Sequence, residues 1–250
     1  MILEQMTTIN SKTAYPAIER DLEILSQSRN YQGWLYSLSK PFIGSRILEI
    51  GSGIGNYTKY FIRHGSVLAS DSEDYYVEYL KNQFKNKNIT VKKITLGNWD
   101  AELIHQLSRF NPDTIICFNV LEHVDADIPA IQDMLNVLSP GGKLVLIVPA
   151  LKFLYSKIDQ NYGHFRRYNQ KRIKQICRDT NSDILFFRYF NFVGALGWVW
   201  SHKFLKRQSL NEGQTRLFDR IVPIISKVEK LIQPPVGLSI LTVIERRDRG

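Results

Sequence analysis

Three glycines separated by single residues follow a short apolar run. The segment LEIGSGIGNY covers residues 48–57, and its glycines are Gly51, Gly53 and Gly55. Glycine permits backbone conformations that bring the main chain close to a ligand, and free N–H groups at a helix start favour an anionic group. The pattern fits the dinucleotide fingerprint G-x-G-x-x-G poorly, because Asn56 stands where that fingerprint has Gly or Ala. The turn therefore predicts a nucleotide-type cofactor and disfavours NAD.

A carboxylate lies twenty residues after the first of these glycines. Asp71 closes the apolar run 66–70, and a carboxylate at the end of a second strand can accept hydrogen bonds from both hydroxyls of a ribose. We therefore predict that Asp71 and Ser72 contact a cofactor together with five residues of the turn, Gly51, Ser52, Gly53, Gly55 and Asn56. Glu49, just before the turn, is predicted to belong to the same site, chiefly as a brace for the glycine loop.

A second group of chemically capable side chains occupies the segment LYSKIDQNYGHFRRYN, residues 154–169. His164 can take a proton from a hydroxyl near neutral pH, and two adjacent arginines offer forked donors for a carboxylate or phosphate. We predict His164 as the catalytic base. The predicted acceptor-binding residues are Tyr155, Asp159, Arg166, Arg167, Tyr168 and, further along the chain, Trp200. In the alternative interpretation the loop only folds over the cofactor, with one of the arginines paired to Asp159.

An aromatic segment follows at residues 185–204. Its longest uncharged run, Tyr189 to His202, has 14 residues, whereas a helix that spans a membrane needs about 20. If residues 193–204 are helical, one face carries Val193, Leu196, Trp200 and Phe204. The segment can be a lid over an apolar pocket, an interfacial membrane contact or a subunit interface, and we favour the lid.

These residues must be positioned by alternating strands and helices. From residue 46 onward, short apolar runs alternate with helical patterns, which predicts βαβ units and a parallel sheet with helices on both faces. The predicted strands are 46–50, 66–70, 89–95, 113–118, 143–149, 183–190 and 238–246. The predicted helices include 54–64, 75–84, 101–110, 128–138, 170–178 and 215–232. Ligands of such sheets bind beyond the carboxyl ends of the strands, which is where the candidate residues stand.

The same pattern predicts the organisation of the chain. A helical segment precedes residue 46, and irregular, aromatic stretches interrupt the alternation after residue 149. We therefore predict an N-terminal helical cap at 1–45 and a cofactor-binding domain at 46–250. Substrate-site insertions are expected at about 150–180 and 191–235, the second of them α-helical and placed before the last strand.

The net charge of +9 is concentrated in one part of the chain. Residues 151–210 hold 12 Lys and Arg against 3 Asp and Glu, whereas residues 1–150 hold 14 against 16. A concentrated basic field favours an anionic partner, or else is a solvated basic face. The two cysteines form no disulfide or metal-binding pattern, and no secretory signal is visible, so we expect a cytoplasmic protein without a bound metal.

Two further segments extend the pattern of the glycine turn. LGNWD, residues 96–100, follows the third predicted strand, and FNVLEHV, residues 118–124, follows the fourth. A Pro-Gly-Gly turn then leads into the fifth strand. With the glycine turn and Asp71, these segments resemble the class I S-adenosylmethionine-dependent methyltransferases, whose fold is a Rossmann-like seven-stranded sheet. The 154–169 segment is similar to a bacterial small-molecule subgroup with a Gly-His-x-Arg-Arg-Tyr loop.

The resemblance implies roles for the loop residues. The glycine turn would hold the methionine part of S-adenosyl-L-methionine, and the acidic end of the second strand its ribose. Asn98 and Trp99 would line the adenine. Asn119 and Val120 would lie beside the sulfonium. The product of such a reaction is S-adenosyl-L-homocysteine.

The expected reaction is transfer of a methyl group to an oxygen of a small, partly apolar and acidic acceptor, related to secondary metabolites or glycans. Methylation of an activated ring or enol carbon is the alternative within the same class. A membrane-associated protein that binds the cofactor as a scaffold is the alternative from another class. Family members that methylate nucleobase amines carry an acidic or Asn-Pro-Pro-aromatic run after the fourth strand, and residues 119–122 read Asn-Val-Leu-Glu. We therefore expect no nucleic-acid partner, while peripheral membrane contact and the oligomeric state stay open.

Overall fold

Seven strands form one sheet at the centre of the molecule. The computed structural model describes residues 22–200 and 212–247. The strands are β1 (Arg46–Ile50), β2 (Ser66–Asp71), β3 (Ile89–Lys93), β4 (Thr114–Phe118), β5 (Lys143–Pro149), β6 (Ser182–Phe190) and β7 (Ser239–Arg246). Their order is β3-β2-β1-β4-β5-β7-β6. Strands β1 to β5 are parallel, and β7 runs antiparallel to both of its neighbours.

Helices cover both faces of this sheet. They are α1 (Arg29–Ser39), α2 (Thr58–Phe61), α3 (Asp74–Gln83), α4 (Ala101–Phe110), α5 (Asp127–Val137), α6 (Lys157–Asn161), α7 (Gln170–Asp179), α8 (Phe192–Trp198) and α9 (Glu212–Ile232). Successive side chains of a strand point to opposite faces. Leu48 of β1 accordingly packs in a core with buried residues of α4, α5 and α7, and its neighbour Ile47 packs with those of α1, α3 and α9.

The register places the ends of the strands that matter for function side by side. Ile50 at the end of β1 pairs with Ser70 of β2 and with Cys117 of β4. The turns that follow these three strands therefore meet at one edge of the sheet, as expected for parallel strands.

The antiparallel strand β7 brings the helical insertion to the same edge. Its first residue, Ser239, pairs with Pro149 at the end of β5 and with Phe190 at the end of β6. The chain that leaves β6 and re-enters at β7 contains α8 and α9. This excursion therefore begins and ends beside the carboxyl ends of the parallel strands.

The predicted architecture is confirmed, with local differences. The seven strands, the helices on both faces, the N-terminal helix and the helical insertion before β7 are all present. The helix predicted at 54–64 is reduced to α2, because the three glycines hold positive φ angles of 69°, 53° and 80° and the helix cannot start until they end. The antiparallel direction of β7 was not predicted.

Helix α1 attaches the N-terminal segment to the rest of the molecule. The backbone N–H of Tyr31 donates to Asp219 Oδ1 of α9 at 2.8 Å, and the Trp34 ring packs edge-on against Phe190 at 5.6 Å. Residues 1–21 of the predicted cap lie outside the described residues. In the described ranges, the helices are all too short or too polar to cross a bilayer.

Candidate functional site

A cavity of about 1330 Å³ opens at the carboxyl ends of the parallel strands. The turns after β1, β2, β3 and β4 form one end of its wall, and the 155–167 loop with α8 and α9 forms the other. Ligand pockets usually measure about 300–1,000 Å³. The cavity therefore has room for a cofactor and an acceptor in contact with each other.

The glycine turn forms the floor of the first end. Gly51, Ser52 and Gly53 line the cavity, and a Cβ added at Gly51 would meet Val120 Cγ2 at 2.3 Å. The N–H of Gly53 donates to Asp71 Oδ2 at 2.9 Å. The turn after β1 is thus fixed to the end of β2, and a side chain at Gly51 would disturb the turn after β4.

Asp71 and Glu49 are two buried carboxyl groups at this end. Burial raises the pKa of Asp71, and backbone N–H groups of Glu73 and Gly53 that donate to it oppose this effect. Burial also raises the pKa of Glu49 to about 7, although Thr58 Oγ1 donates to its Oε2 at 2.6 Å. Glu49 therefore holds the first residue of α2 in place, which is the contact that a brace of the loop requires.

Other predicted cofactor residues divide between the cavity wall and the packing behind it. Ser72, Asn119 and Val120 line the cavity, as does Asn56, whose Nδ2 donates to the carbonyl of Leu22 at 3.3 Å. Gly55 does not line it. A Cβ at Gly55 would lie 2.6 Å from the Phe84 ring, so this glycine allows α3 to pack closely against the turn.

The structure corrects the two residues predicted to line an adenine. Neither Asn98 nor Trp99 borders the cavity. Trp99 is buried in the core, where its indole N–H donates to the carbonyl of Thr95 at 2.8 Å and its backbone N–H donates to Asp133 Oδ2 at 3.1 Å. Asn98 is a turn residue with a φ of 59°. The cavity wall after β3 consists of Ile94, Thr95 and Leu96 instead.

Asp159 is the centre of the opposite loop. Its carboxylate is fully buried and accepts two hydrogen bonds from Arg167, from Nε at 2.8 Å and from Nη2 at 3.0 Å. It also lies 3.0 Å from His164 Nδ1. Burial would raise the pKa of Asp159, but the hydrogen bonds from His164 and Arg167 outweigh burial and lower it to about 2. Asp159 is therefore ionised, and it does not line the cavity.

Both arginines are engaged by protein carboxylates. Arg167 lines the cavity and stacks over the Trp198 ring at 4.7 Å, but Asp159 occupies its forked donors. Arg166 does not line the cavity, and it pairs with Asp125, which does, at 3.0 Å and with Asp127 at 3.1 Å. The pair of Arg167 and Asp159 is the one that the alternative interpretation described, and the direct role of the arginines toward an acidic acceptor stays a prediction.

Tyr168 is likewise a structural residue. Its side chain is fully buried, and its hydroxyl donates to the carbonyl of Leu121 at 3.2 Å. Its backbone N–H donates to the carbonyl of Pro149 at 2.8 Å. Tyr168 therefore ties the loop to the end of β5 and does not border the cavity, contrary to its predicted role in acceptor binding.

His164 is held from two sides while its ring borders the cavity. The Tyr155 hydroxyl donates to the carbonyl of His164 at 2.6 Å, and Asp159 contacts Nδ1. The His123 ring packs edge-on against it with centroids 4.6 Å apart. Because the ionised Asp159 favours a proton on Nδ1, Nε2 is left as the hydrogen-bond acceptor of the imidazole.

Glu122 and His123 were not among the predicted site residues, although both line the cavity. The Glu122 carboxyl is buried, its Oε2 has no hydrogen-bond partner, and burial raises its pKa to about 7. Burial lowers the pKa of His123 to about 4. The position of LEH directly after β4 was the available signal, because loops at this edge converge on the ligand.

These two residues and His164 bring metal-ligand atoms within 4.8 Å of one another. Carboxylate and imidazole are common ligands of divalent metals. A positive charge is already present nearby, however, because the guanidinium of Arg167 is close enough to lower the pKa of Glu122 against the effect of burial. The expectation of a site without metal stays a prediction.

The remaining wall of the second end is largely apolar. Val193, Trp198 and Trp200 border the cavity from α8 and the residues after it, and Leu217 and Ile221 border it from α9, where Gln214 and Thr215 add polar side chains. The lid stays a prediction. Of the other residues predicted on the same face, Leu196 is exposed and does not border the cavity, and Phe204 lies outside the described residues.

The first end of the cavity fits S-adenosylmethionine by its chemistry. An open glycine turn, a buried carboxyl group at the end of β2 and an apolar slot at residues 94–96 offer partners for an amino-acid part, a ribose and a flat base. The second end places a histidine and an apolar wall next to this position.

Comparison with known proteins agrees with this description. Residues 23–208 match a family described as a methyltransferase domain. Two curated relatives are the S-adenosyl-L-methionine-dependent Diels-Alderase iccD of Talaromyces variabilis, 28% identical over 51% of this chain, and the ubiquinone biosynthesis O-methyltransferase of Coxiella burnetii, 27% identical over 48%. The matches span 42% and 46% of these relatives' own lengths, so less than half of each is covered.

The fold also has solved counterparts. The S-adenosylmethionine-dependent methyltransferase from Mesorhizobium loti superposes with a TM-score of 0.55 at 13% identity, over 82% of this chain and 92% of that one. At this identity the likeness concerns the fold alone. The family match covers most of the chain and includes the glycine turn and the strand ends that line the cavity, so the chain belongs to the methyltransferase domain family.

Proposed function

We propose that the enzyme transfers the methyl group of S-adenosylmethionine to a hydroxyl oxygen of a small, largely apolar acceptor in the cytoplasm. The observation that carries this proposal is the pair formed by Asp159 and His164 at the acceptor end of the cavity. A histidine oriented by an ionised carboxylate is suited to remove a proton from a hydroxyl group. The free, buried state of both cysteines supports a reducing compartment.

The cofactor would be held by the first end of the cavity. Backbone groups of Gly51 to Gly53 would contact its amino-acid part, Asp71 and Ser72 its ribose, and residues 94–96 its base. When bound, the cofactor supplies an electrophilic methyl group on a sulfonium sulfur. Asn119 and Val120 also line the cavity and would border the reacting atoms.

The proton transfer follows from the contacts of His164. Asp159 keeps the Nδ1 proton in place, so Nε2 receives the proton of the acceptor hydroxyl as the oxygen attacks. The ionised carboxylate then stabilises the imidazolium that forms, while Arg167 keeps that carboxylate fixed. Holding the oxygen in line with the methyl group supplies a further part of the rate.

The second end of the cavity supports an apolar acceptor. Trp198, Leu217 and Ile221 contribute hydrophobic surface, and the two arginines that favoured an acidic acceptor in the sequence are paired with Asp159, Asp125 and Asp127. The named activity of one relative, an O-methyltransferase of ubiquinone biosynthesis, agrees with oxygen as the nucleophile. We therefore propose an acceptor of phenol or quinol type with an apolar substituent.

The position of the new methyl group in the product distinguishes methylation of oxygen from methylation of carbon. The enzyme is incubated with cofactor that carries a ¹³C methyl group and with phenols and quinols that bear alkyl substituents. We expect the NMR spectrum of the product to show a methyl group on oxygen. A methyl group on carbon would overturn the proposed chemistry and assign the enzyme to ring or enol methylation.

A further inference from the structure

Helix α9 exposes a continuous apolar face. Leu217, Ile221, Ile224, Val228 and Leu231 are all exposed, and Leu231 reaches 85%. Their spacing of four and three residues places them on one side of the helix. These five residues are called the exposed stripe below.

The exposed stripe is not the face that attaches α9 to the protein. Val222 and Ile225 are buried in the core. Glu229 on the same inner face accepts hydrogen bonds from the backbone N–H groups of Asn191 at 2.9 Å and Phe192 at 2.7 Å. The helix is therefore fixed without the stripe. The stripe stays exposed among the described residues.

A row of cations borders the exposed stripe. Its members, Arg216, Arg220, Lys227 and Lys230, are exposed and follow one another on the adjacent side of the helix. The acidic residues lie elsewhere: Asp219 accepts a hydrogen bond from α1, and Glu229 is buried. Near the first turn, Glu212 pairs with Arg216. The sequence of residues 201–211 adds three basic residues and no acidic one.

The exposed stripe is continuous with the mouth of the cavity. Leu217 and Ile221 belong to both. Val193 of α8 is exposed and borders the same cavity, and Phe192 and Leu196 of this helix are exposed as well. Exposed apolar side chains of two helices thus stand at one cavity.

From this arrangement we infer that the α8–α9 surface docks on an anionic phospholipid bilayer and that the acceptor is an amphiphile drawn from it. The apolar tail of the acceptor would stay at the bilayer while its hydroxyl head reaches His164. An apolar face flanked by lysine and arginine is the arrangement that binds the interface of an anionic membrane. The acceptor part of this inference rests on the proposed function.

A second copy of the chain fits this surface less well. The spacing of four and three also suits the seam of two paired helices, but such a seam is narrow, whereas the apolar surface extends onto α8. In a pair of α9 helices the cationic rows would flank the same seam, and like charges repel each other there. A bilayer accommodates both the width and the charge of the surface.

Vesicle binding by the full chain, without cofactor or acceptor, tests the docking. Sedimentation is measured with phosphatidylcholine vesicles and with vesicles that contain about 30% phosphatidylglycerol. We expect binding to the anionic vesicles and a loss of at least about tenfold in the double variant Ile224→Glu/Leu231→Glu. Both positions are exposed and outside the cavity wall, so the fold is retained. The matched control is Leu185→Glu, an exposed apolar position on β6 that should bind like the parent.

Three results would overturn the docking. The first is a parent chain that does not sediment with the anionic vesicles at all. The second is equal binding by the parent and the double variant. The third is a dimer in light scattering that the double variant dissociates, which would assign the surface to a second copy.

The acceptor class is tested separately by methylation of two phenols, one with a short and one with a long alkyl chain, each with and without vesicles. Vesicles should raise kcat/KM only for the long-chain phenol; no methylation of either would refute the proposed function and leave the docking result standing.

Discussion

Asp159 contacts Arg167 and His164 through the same carboxylate oxygen, at 2.8 Å from Nε and 3.0 Å from Nδ1. One buried anion thus serves a structural ion pair and a residue on the cavity wall. The arginine neutralises and fixes the carboxylate, and the carboxylate orients the imidazole. Substitutions at the two partners should accordingly give different results.

Replacing His164 by alanine should lower kcat by about 10²–10⁴-fold, because the proton acceptor is lost. Cofactor affinity should stay unchanged, since the ring lies at the acceptor end. Initial rates and calorimetry measure the two effects. His64→Ala is the control, as that histidine contacts Tyr36 and neither residue lines the cavity. A His164→Ala enzyme with near-native kcat would show that alignment alone suffices.

Replacing Arg167 by alanine should mainly reduce stability. The change leaves a buried carboxylate without its partner, which costs about 3–5 kcal/mol. Denaturant unfolding measures this loss, and Arg167→Lys should recover only part of it because an ammonium group cannot reproduce the forked contact. Arg247→Ala removes an exposed pair with Asp183 and should leave the free energy of unfolding nearly unchanged, because exposed ion pairs contribute little. If Arg167→Ala instead raised KM at unchanged stability, the arginine would bind the acceptor directly.

Asp71→Ala should weaken binding of S-adenosylmethionine and S-adenosylhomocysteine by roughly 2–3 kcal/mol, the value of charge-assisted hydrogen bonds to a ribose. Calorimetry gives the affinity. Asp74→Ala, three residues away and paired with Lys93 at the surface, should bind the cofactor normally. Unchanged affinity in Asp71→Ala would remove the carboxylate from the cofactor site.

Glu49 should make the free energy of unfolding depend on pH. Burial raises its folded pKa to about 7 from an unfolded value near 4.3. The folded state therefore binds the proton of Glu49 more tightly than the unfolded state does. The contribution of this proton to the free energy of unfolding is complete below the unfolded pKa and is lost as pH rises through 7. We expect the free energy of unfolding of Glu49→Gln to rise relative to that of the parent by on the order of 3 kcal/mol between pH 4.5 and 8. Equal pH slopes in apo parent and variant would contradict the raised pKa.

Removal of divalent metals should leave the activity unchanged. Glu122, His123 and His164 could ligate a cation, but a proton on Glu122 and the nearby guanidinium of Arg167 reduce the need for one. Dialysis against EDTA followed by rate measurement tests this. Loss of activity that Mg²⁺ or Mn²⁺ restores would establish a metal site in this cluster.

The sequence predicted the fold well because its strands and helices have strong local signals. Apolar runs such as RILEI and KLVLIVP give strands within two residues of their observed ends. The direction of β7 could not be predicted in this way, because a strand that pairs on both sides carries the same apolar pattern in either direction.

The sequence predicted the cofactor end of the cavity better than the contacts of the 154–169 loop. Residues of the glycine turn and the end of β2 line the cavity, because tight turns after strands can face only one edge of the sheet. In the 154–169 loop, residue type suggested contact with an acceptor for Arg166, Arg167 and Tyr168. The partners of Arg166 and Tyr168 lie 41 and 47 residues away in the sequence, at Asp125 and Leu121, and no local pattern reveals such pairs. The pair of Arg167 and Asp159 lies within the loop, and the alternative interpretation had named it.

The pairing of Ser239 with both Phe190 and Pro149 has a consequence for how such enzymes diversify. The whole excursion from residue 191 to residue 238 starts and finishes at neighbouring points of the sheet. An exchange of this excursion for another of different length would keep these strand ends adjacent, provided that the new segment replaced the core contacts of Val222 and Ile225. The connection between β6 and β7 is therefore a position at which a different acceptor-binding segment can replace the present one, while the residues at the cofactor end of the cavity stay the same.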